Sequence, residues 1–248
     1  KSRSNGSPSR TDVKSPVVSV VLPMRDALRT LPEAVESVLA ERDVALELVC
    51  VDDGSTDDGP RFVTERARDD ARLRLVASRG RGIVAALETG IALTHGRYVG
   101  RMDADDISVP GRFASSVAHL DAHPGVAVVG TRVRVLLDDP ADEAHGVERH
   151  VAWMNALLTP EEHARDRFVD SPLCHPSTTI RRDALVEVGG YREGPFAEDY
   201  DLWLRLVHAG HGLAKLPETM LAWRHRRDRL TFTDPRCSHE AFRTVKAE

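Results

Sequence analysis

"RYVGRMDADDI", residues 97–107, joins a strand-length run to three carboxylates, Asp103, Asp105 and Asp106, within four positions. In an extended segment Asp103 and Asp105 point the same way. Like charges so placed repel unless a positive group sits between them. Oxygen-only ligands suit Mg2+ or Mn2+, which bind through one or two carboxylates and complete their shell with substrate phosphates. Metal–phosphate binding is therefore the preferred reading over a solvated acidic turn. Asp106 is read as the cap of a helix beginning near Pro110.

On both sides of this stretch the chain alternates. "VVSVVLP" (17–23) is a buried strand closed by a proline, and "TLPEAVESVLAER" (30–42) is a helix with Pro32 in its first turn. "ALELVCVDD" (45–53) is a second strand, "GSTDDG" (54–59) a turn, and Pro60 opens a helix through Phe62, Val63 and Ala67. "LRLVA" (73–77) is a strand, "GIVAALETGIAL" (82–93) a helix, and "RYVGRMD" (97–103) the fourth strand. A helix over 110–124 and the strand "VAVVG" (126–130) follow. Such alternation, with short connections, predicts an α/β fold: a mostly parallel central sheet with helices on both faces.

The second half is less regular. A helix falls somewhere in 151–168, "STTIRR" (177–182) is a strand, and "DALVEVGG" is a short helix stopped by Gly189 and Gly190. "AEDYDLWLRLVHAG" (197–210) is a helix with Leu202, Trp203, Leu206 and Val207 inward, and "HGLAKL" and "TMLAWRHR" read as two late strands. Residues 1–16, rich in Ser, Pro and Gly, are expected to be a disordered leader or cloning remnant. Lys1 in place of Met fits a missing natural terminus. Residues 17–248 form one domain, with 17–130 as its nucleotide-binding half and 131–248 as its acceptor-binding half.

Composition narrows the function classes. The formal net charge is −5, with 41% hydrophobic and 29% charged residues, ordinary for a globular protein and unlike a nucleic-acid binder. Cys50, Cys174 and Cys237 are widely spaced and form no CxxC pair, so neither a disulfide framework nor a zinc knuckle is indicated. No apolar run approaches the ~20 residues that span a bilayer. A cytoplasmic location is expected. The basic "WRHRRDR" (223–229) fits an anionic acceptor or the inner membrane surface, and equally a solvated strand end.

In an open parallel sheet, ligands bind beyond the carboxyl ends of the strands. Pro23, Met24 and Arg25 end the first strand, Asp52 and Asp53 the second, and Asp103, Asp105 and Asp106 follow the fourth. Separate segments thus gather at one rim. "DDGSTDDG" alone is a turn, but at a strand tip Asp53 can accept from the N–H of a nucleobase. "RGRG" (79–82) offers two guanidinium groups and flexible backbone to a diphosphate, or is a surface loop. The acids of "AEDYD" alone require only the helix dipole.

In this order, Pro23, "VDDGSTD", "GIVAALETGIALTHGRYVGRMDADD", "GGYRE" and "AEDYDLWLR" resemble the family 2 glycosyltransferases, from Val17 to about Leu230. The resemblance implies the GT-A fold, Rossmann-like with a mixed, mostly parallel sheet, and inverting transfer from a nucleotide sugar. It places Pro23, Arg25, Asp53 and Asp103 on the donor, most simply a UDP-sugar, with Arg79 and Gly82 of "RGRG" as further donor candidates from the loop reading above. It assigns Asp105, Asp103 and His225 to the divalent cation, Mn2+ or Mg2+. Asp199 matches the general base, and Gly190, Glu198 and Trp203 fall on the acceptor side. Two departures stand out: Arg25–Asp26 replaces the frequent aromatic–Asn pair, and the QxxRW motif of processive synthases is absent. The implied enzyme adds one or a few sugars to a glycan, lipid-linked or small-molecule acceptor in cell-surface polysaccharide or glycan synthesis, without nucleic-acid partners.

Rival readings fit less well. A nucleotidyltransferase needs a Gly-rich loop where "PMRDALRT" (23–30) stands, and a phosphatase of DxD type expects its acids after the first strand. A receiver domain is about half this length. A non-catalytic sugar-nucleotide binder of the same fold would not require the "ED" pair of Glu198 and Asp199.

Overall fold

Alternate residues of Val18–Met24 (β1) bury on opposite faces of a sheet, which is why this strand reads as a continuous apolar run. The computed structural model describes residues 15–138, 145–225 and 235–246. The expected leader (its first 14 residues) and most of the basic stretch 223–229 lie outside the described residues. β1 pairs in parallel with β2 (Leu46–Asp52) and β4 (Tyr98–Arg101), and β2 with β3 (Leu73–Ala77).

Helices cover both faces. α1 (Leu31–Leu39) buries Leu31, Ala34, Val35, Val38 and Leu39, one helical stripe, against Val18, Val20 and Leu22. α2 (Gly59–Arg66) shares that face through Val63. α3 (Ile83–Ala92) packs Val84 and Leu87 on Val21, Val49 and Val51 of the other face. Its approach is close: a Cβ on Gly90 would stand 2.5 Å from Val21 Cγ1.

The second half completes an eight-stranded sheet of order β3-β2-β1-β4-β7-β6-β8-β5, with β5 at Ile107–Ser108, β6 at Val126–Leu137, β7 at Thr179–Arg181 and β8 at Gly212–His225. Pairs β4–β7, β6–β7 and β5–β8 are antiparallel, and β6–β8 is parallel. The sheet is therefore mixed and mostly parallel. Helices α4 (Arg112–Ala122), α5 (His145–Ala156), α6 (Pro160–Asp166), α7 (Arg182–Glu187), α8 (Glu198–His208) and α9 (His239–Val245) complete the described elements.

Several expectations need correction. The strand expected at 126–130 continues to Leu137, and the two late strands are one. The polar Pro217–Thr219 suggested a break, but β8 passes it as a bulge, shifting register between Thr131 and Val133. The helical segment near 151–168 is two helices, parted where Thr159 and Glu162 form a reciprocal capping box. β5 is two residues long and owes its existence to pairing with β8, so no local pattern announces it. Asp106 caps nothing: α4 begins after Gly111, and Asp106 Oδ1 accepts from the backbone N–H of Arg224 at 2.8 Å.

Candidate active site

The carboxyl ends of β1, β2 and β4 open into a cavity of about 1100 Å3, walled on its far side by α5, the start of α8 and α9. Pro23, Arg25, Asp53, Gly82, Asp103, Asp105, Glu198 and Asp199 all line it. Four expected residues do not. Arg79 is exposed outside the lining. His225, at the end of β8, lies outside it as well. Trp203, 1% exposed, is a core residue. Gly190 holds a left-handed φ of +70° where a Cβ would meet Glu88 Oε1 at 2.6 Å, so close packing fixes it.

The "DDGSTDDG" loop divides its acids by task. Asp52 Oδ1 accepts from Ser55 N at 2.9 Å, and Asp57 accepts from Leu28 N and Gly59 N, so both hold the turn. Asp26, with a left-handed φ of 46°, accepts from Thr56 N and Oγ1, which hold its carboxyl below the usual carboxylate range. The departure at Arg25–Asp26 thus pins the first-strand loop onto the second. Asp53 is left for other work. Its Oδ2 accepts from Gly82 N at 3.0 Å and stands 3.8 Å from Arg25 Nη1, while its buried Oδ1 has no hydrogen-bond partner.

Of the two guanidinium groups in "RGRG", that of Arg81, though exposed, donates to Asp53 O at 2.9 Å. It lies over Gly54, φ +78°, where a Cβ would come within 2.1 Å of its Nη1. Arg79 offers only its backbone, donating to Thr89 Oγ1. Which of the two guanidinium groups is engaged is decided by contact with Asp53, which the sequence does not display.

Asp103, Asp105 and Asp106 each bring a carboxylate oxygen within 4.8 Å of the other two. An all-oxygen, all-anionic set of this size fits a hard divalent cation. Part of the repulsion is met by protein: Arg101, 4% exposed, donates from Nη2 to Asp103 Oδ1 at 2.7 Å and from Nη1 to Met102 O. Arg224 adds a second anchor, its Nε donating to Asp105 O at 2.7 Å. Sequence reasoning missed Arg101, although its place two residues before Asp103 on an extended strand puts both on one face.

Glu198 and Asp199 open α8, where the helix N-terminus favours negative charge. Burial and then the neighbouring Glu198 carboxylate push the Asp199 carboxyl up to about 7. Burial likewise raises Glu198, against the pull of Arg101. A carboxylate poised near neutrality in a cavity is suited to taking a proton from a hydroxyl.

Behind the pair, His175 stands in a 3-10 turn, His175–Ser177. Its Nε2 lies 2.7 Å from Tyr191 Oη and its Nδ1 3.7 Å from Glu198 Oε1. Nothing in the sequence pattern singles out His175, and Tyr191 enters only as part of the "GGYRE" stretch.

Comparison with known proteins agrees with this geometry. The family model described as "Glycosyl transferase family 2" matches residues 19–189. The chain is 29% identical over 205 residues to the amylovoran biosynthesis glycosyltransferase AmsE of Erwinia amylovora, covering 82% of this chain and 74% of that protein. It is 31% identical over 210 residues to the putative glycosyltransferase EpsE of Bacillus subtilis, covering 83% and 72%. Among solved structures, S. aureus TarS 1-349 in complex with UDP-GlcNAc superposes with a TM-score of 0.71 at 18% identity, over 92% of this chain and 64% of that one. The mannosyltransferase PcManGT of Pyrobaculum calidifontis, in complex with GDP-Man and Mn2+, gives 0.71 at 23% identity, over 98% and 67%. The chain thus spans a little under two thirds of the TarS fragment. At these identities the likeness is one of fold, and that fold is GT-A.

Proposed function

Since the chain belongs to glycosyl transferase family 2 and is a glycosyltransferase, we propose that it transfers one sugar from a nucleoside-diphosphate donor to an acceptor hydroxyl with inversion, Asp199 acting as general base. The observation that carries this reading is the shared cavity. It holds an acidic cluster suited to a cation, the unpartnered Oδ1 of Asp53, and a carboxylate raised to about neutrality at the start of α8.

Each residue has a task. Asp53 Oδ1, buried and lacking a hydrogen-bond partner among the described residues, accepts from a base N–H, and the imide of uracil, with one N–H between two carbonyls, suits a single unpaired acceptor, which favours UDP-sugars. Asp103 and Asp105 would hold Mn2+ or Mg2+, which when bound would supply positive charge to offset that on the departing diphosphate. Asp199 accepts the proton of the acceptor hydroxyl as that oxygen attacks the anomeric carbon from the face opposite the leaving group. One displacement inverts the anomeric centre with no covalent enzyme intermediate.

Acceptor identity follows from weaker signs. Relatives named for amylovoran biosynthesis support a place in cell-surface polysaccharide assembly, with a glycan, lipid-linked or small-molecule acceptor. The absence of the QxxRW motif supports addition of one or a few sugars. No helix among the described residues is long and apolar enough to cross a membrane. Peripheral contact with a membrane is part of the proposal.

Release of nucleoside diphosphate from UDP- and GDP-sugars in Mn2+ or Mg2+ tests the reading. Asp199→Asn is expected to lower release by about 1000-fold, within the range of a lost general base, with UDP binding retained. Undiminished turnover in that variant overturns the assignment.

A further inference from the structure

His175 stands between two segments of the cavity wall. It is hydrogen-bonded to the turn after Gly190 through Tyr191, and its Nδ1 faces Glu198 Oε1 at the start of α8 across 3.7 Å, longer than a hydrogen bond. The imidazole is 8% exposed and packs edge-on to Trp203, ring centres 5.9 Å apart. Trp203 therefore serves the site from beneath, as the surface that fixes the ring plane. Tyr191 is itself tethered, its N–H donating to Glu88 Oε1 at 2.8 Å. The turn's own carbonyl is fixed too, His175 O accepting from Thr178 Oγ1 at 2.7 Å.

The proton positions on this ring follow from its neighbours. Burial and the Arg101 guanidinium hold His175 well below its ordinary range, so the ring is neutral, with one donor and one acceptor. Burial also keeps the Tyr191 phenol protonated. A lone pair on Nδ1 would face the Glu198 carboxylate and repel it. The favourable arrangement puts the proton on Nδ1, toward Glu198, and lets Nε2 accept from the Tyr191 hydroxyl.

We propose that His175 is a positioning residue of the transfer reaction: anchored by the Tyr191 hydroxyl, its Nδ1–H dipole faces the Glu198 carboxylate across 3.7 Å, orients it and so sets the start of α8 on which Asp199 stands. The inference rests on the proposed role of Asp199. It requires no contact between His175 and substrate. Its effect is expected on turnover, because the groups its ring faces, Tyr191 and Glu198, stand beside Asp199, whereas the base acceptor Asp53 stands at the tip of β2.

The test uses the full chain with Mn2+ and whichever of UDP-glucose, UDP-galactose, UDP-N-acetylglucosamine and GDP-mannose the wild type hydrolyses fastest. His175→Ala is expected to lower turnover about 30-fold while the donor KM moves less than about threefold. His175→Asn, whose amide N–H reaches the Nδ1 position, is expected to recover turnover to within about tenfold of wild type. Tyr191→Phe should lower turnover by about fivefold and add nothing to His175→Ala, since the two act as one unit. In the wild type, nitrogen NMR of labelled histidine should report the Nδ1–H tautomer at His175, a reading that needs no substrate.

A loss confined to donor KM, additivity of the Tyr191 and His175 variants, or an Nε2–H tautomer overturns the inference. So does full turnover in His175→Ala when Asp199→Asn is inactive, and that result leaves the proposed function standing. Full turnover in Asp199→Asn, or no hydrolysis of any donor by the wild type, overturns the function and this inference together.

Discussion

The guanidinium of Arg101 and the carboxylate of Asp103 meet at 2.7 Å in a pair whose cation is almost wholly buried. The acidic cluster at the strand tip is thus partly neutralised before any ion arrives. Arg101 also stands where its charge is felt by His175, Tyr191, Glu198 and Asp199. One buried cation therefore links the strand-tip and α8 sides of the cavity.

Removing that cation should be costly. Arg101→Met removes the buried cation beside Asp103, whose carboxylate is 25% exposed, so the cost should fall below the ~3–5 kcal/mol of a fully buried pair. Urea unfolding should show a midpoint lowered accordingly with little change in slope. A midpoint within error of wild type would mean that the pair adds nothing to stability.

The base should set the acid limb of the pH profile. With Asp199 raised to about 7, it is protonated and idle below that pH and ionised above it, so turnover rises through about 7 and then levels. Glu198→Gln removes the like charge that is the second cause of the shift, and the limb should move to lower pH. The folding contribution of Asp199 has the opposite sense: its stabilising, protonated form is fully present below the unfolded value and lost as pH rises through about 7. A profile flat between pH 5 and 8 contradicts the assignment.

Metal dependence should reside in Asp105. Calorimetric titration of UDP with and without Mn2+ is expected to show tighter binding with the ion in the wild type. In Asp105→Ala that enhancement should fall by about 10–100-fold. An unchanged Mn2+ effect would move the cation elsewhere.

Base recognition should reside in Asp53. Its Oδ1, buried and without a hydrogen-bond partner among the described residues, is an anionic acceptor, and a hydrogen bond to a charged group contributes about 1.5–3 kcal/mol. Asp53→Ala should therefore weaken UDP binding by about 10–150-fold while ribose-5-phosphate binding is unmoved. Equal weakening of both would show a general collapse of the rim.

How far the sequence carried can be traced through particular residues. The apolar runs of β1 and β2 and the stripe of α1 are local patterns, so the alternation and the gathering of Pro23, Asp53 and Asp103 at one rim were legible. The late strand broke at Pro217 on paper because a bulge is a relation between two strands. Trp203 was placed inward correctly, but which face of the cavity floor it supports was not visible. His225 and Arg79 offered suitable chemistry, yet neither lines the cavity.

The linear order of residues determined the kind of chemistry available: strand tips bearing carboxylates, a helix opening with an acidic pair, and the family to which these belong. Folding decided which of those groups are free to act. Asp52, Asp53 and Asp57 look alike along the chain, and only backbone N–H groups from other segments divide them into turn builders and an unpaired acceptor. Asp199 differs from an ordinary surface acid because α8 brings it under cover beside Glu198 and within reach of Arg101. Desolvation and charge proximity are set by neighbours distant in sequence, and those neighbours exist only once the chain has closed around them.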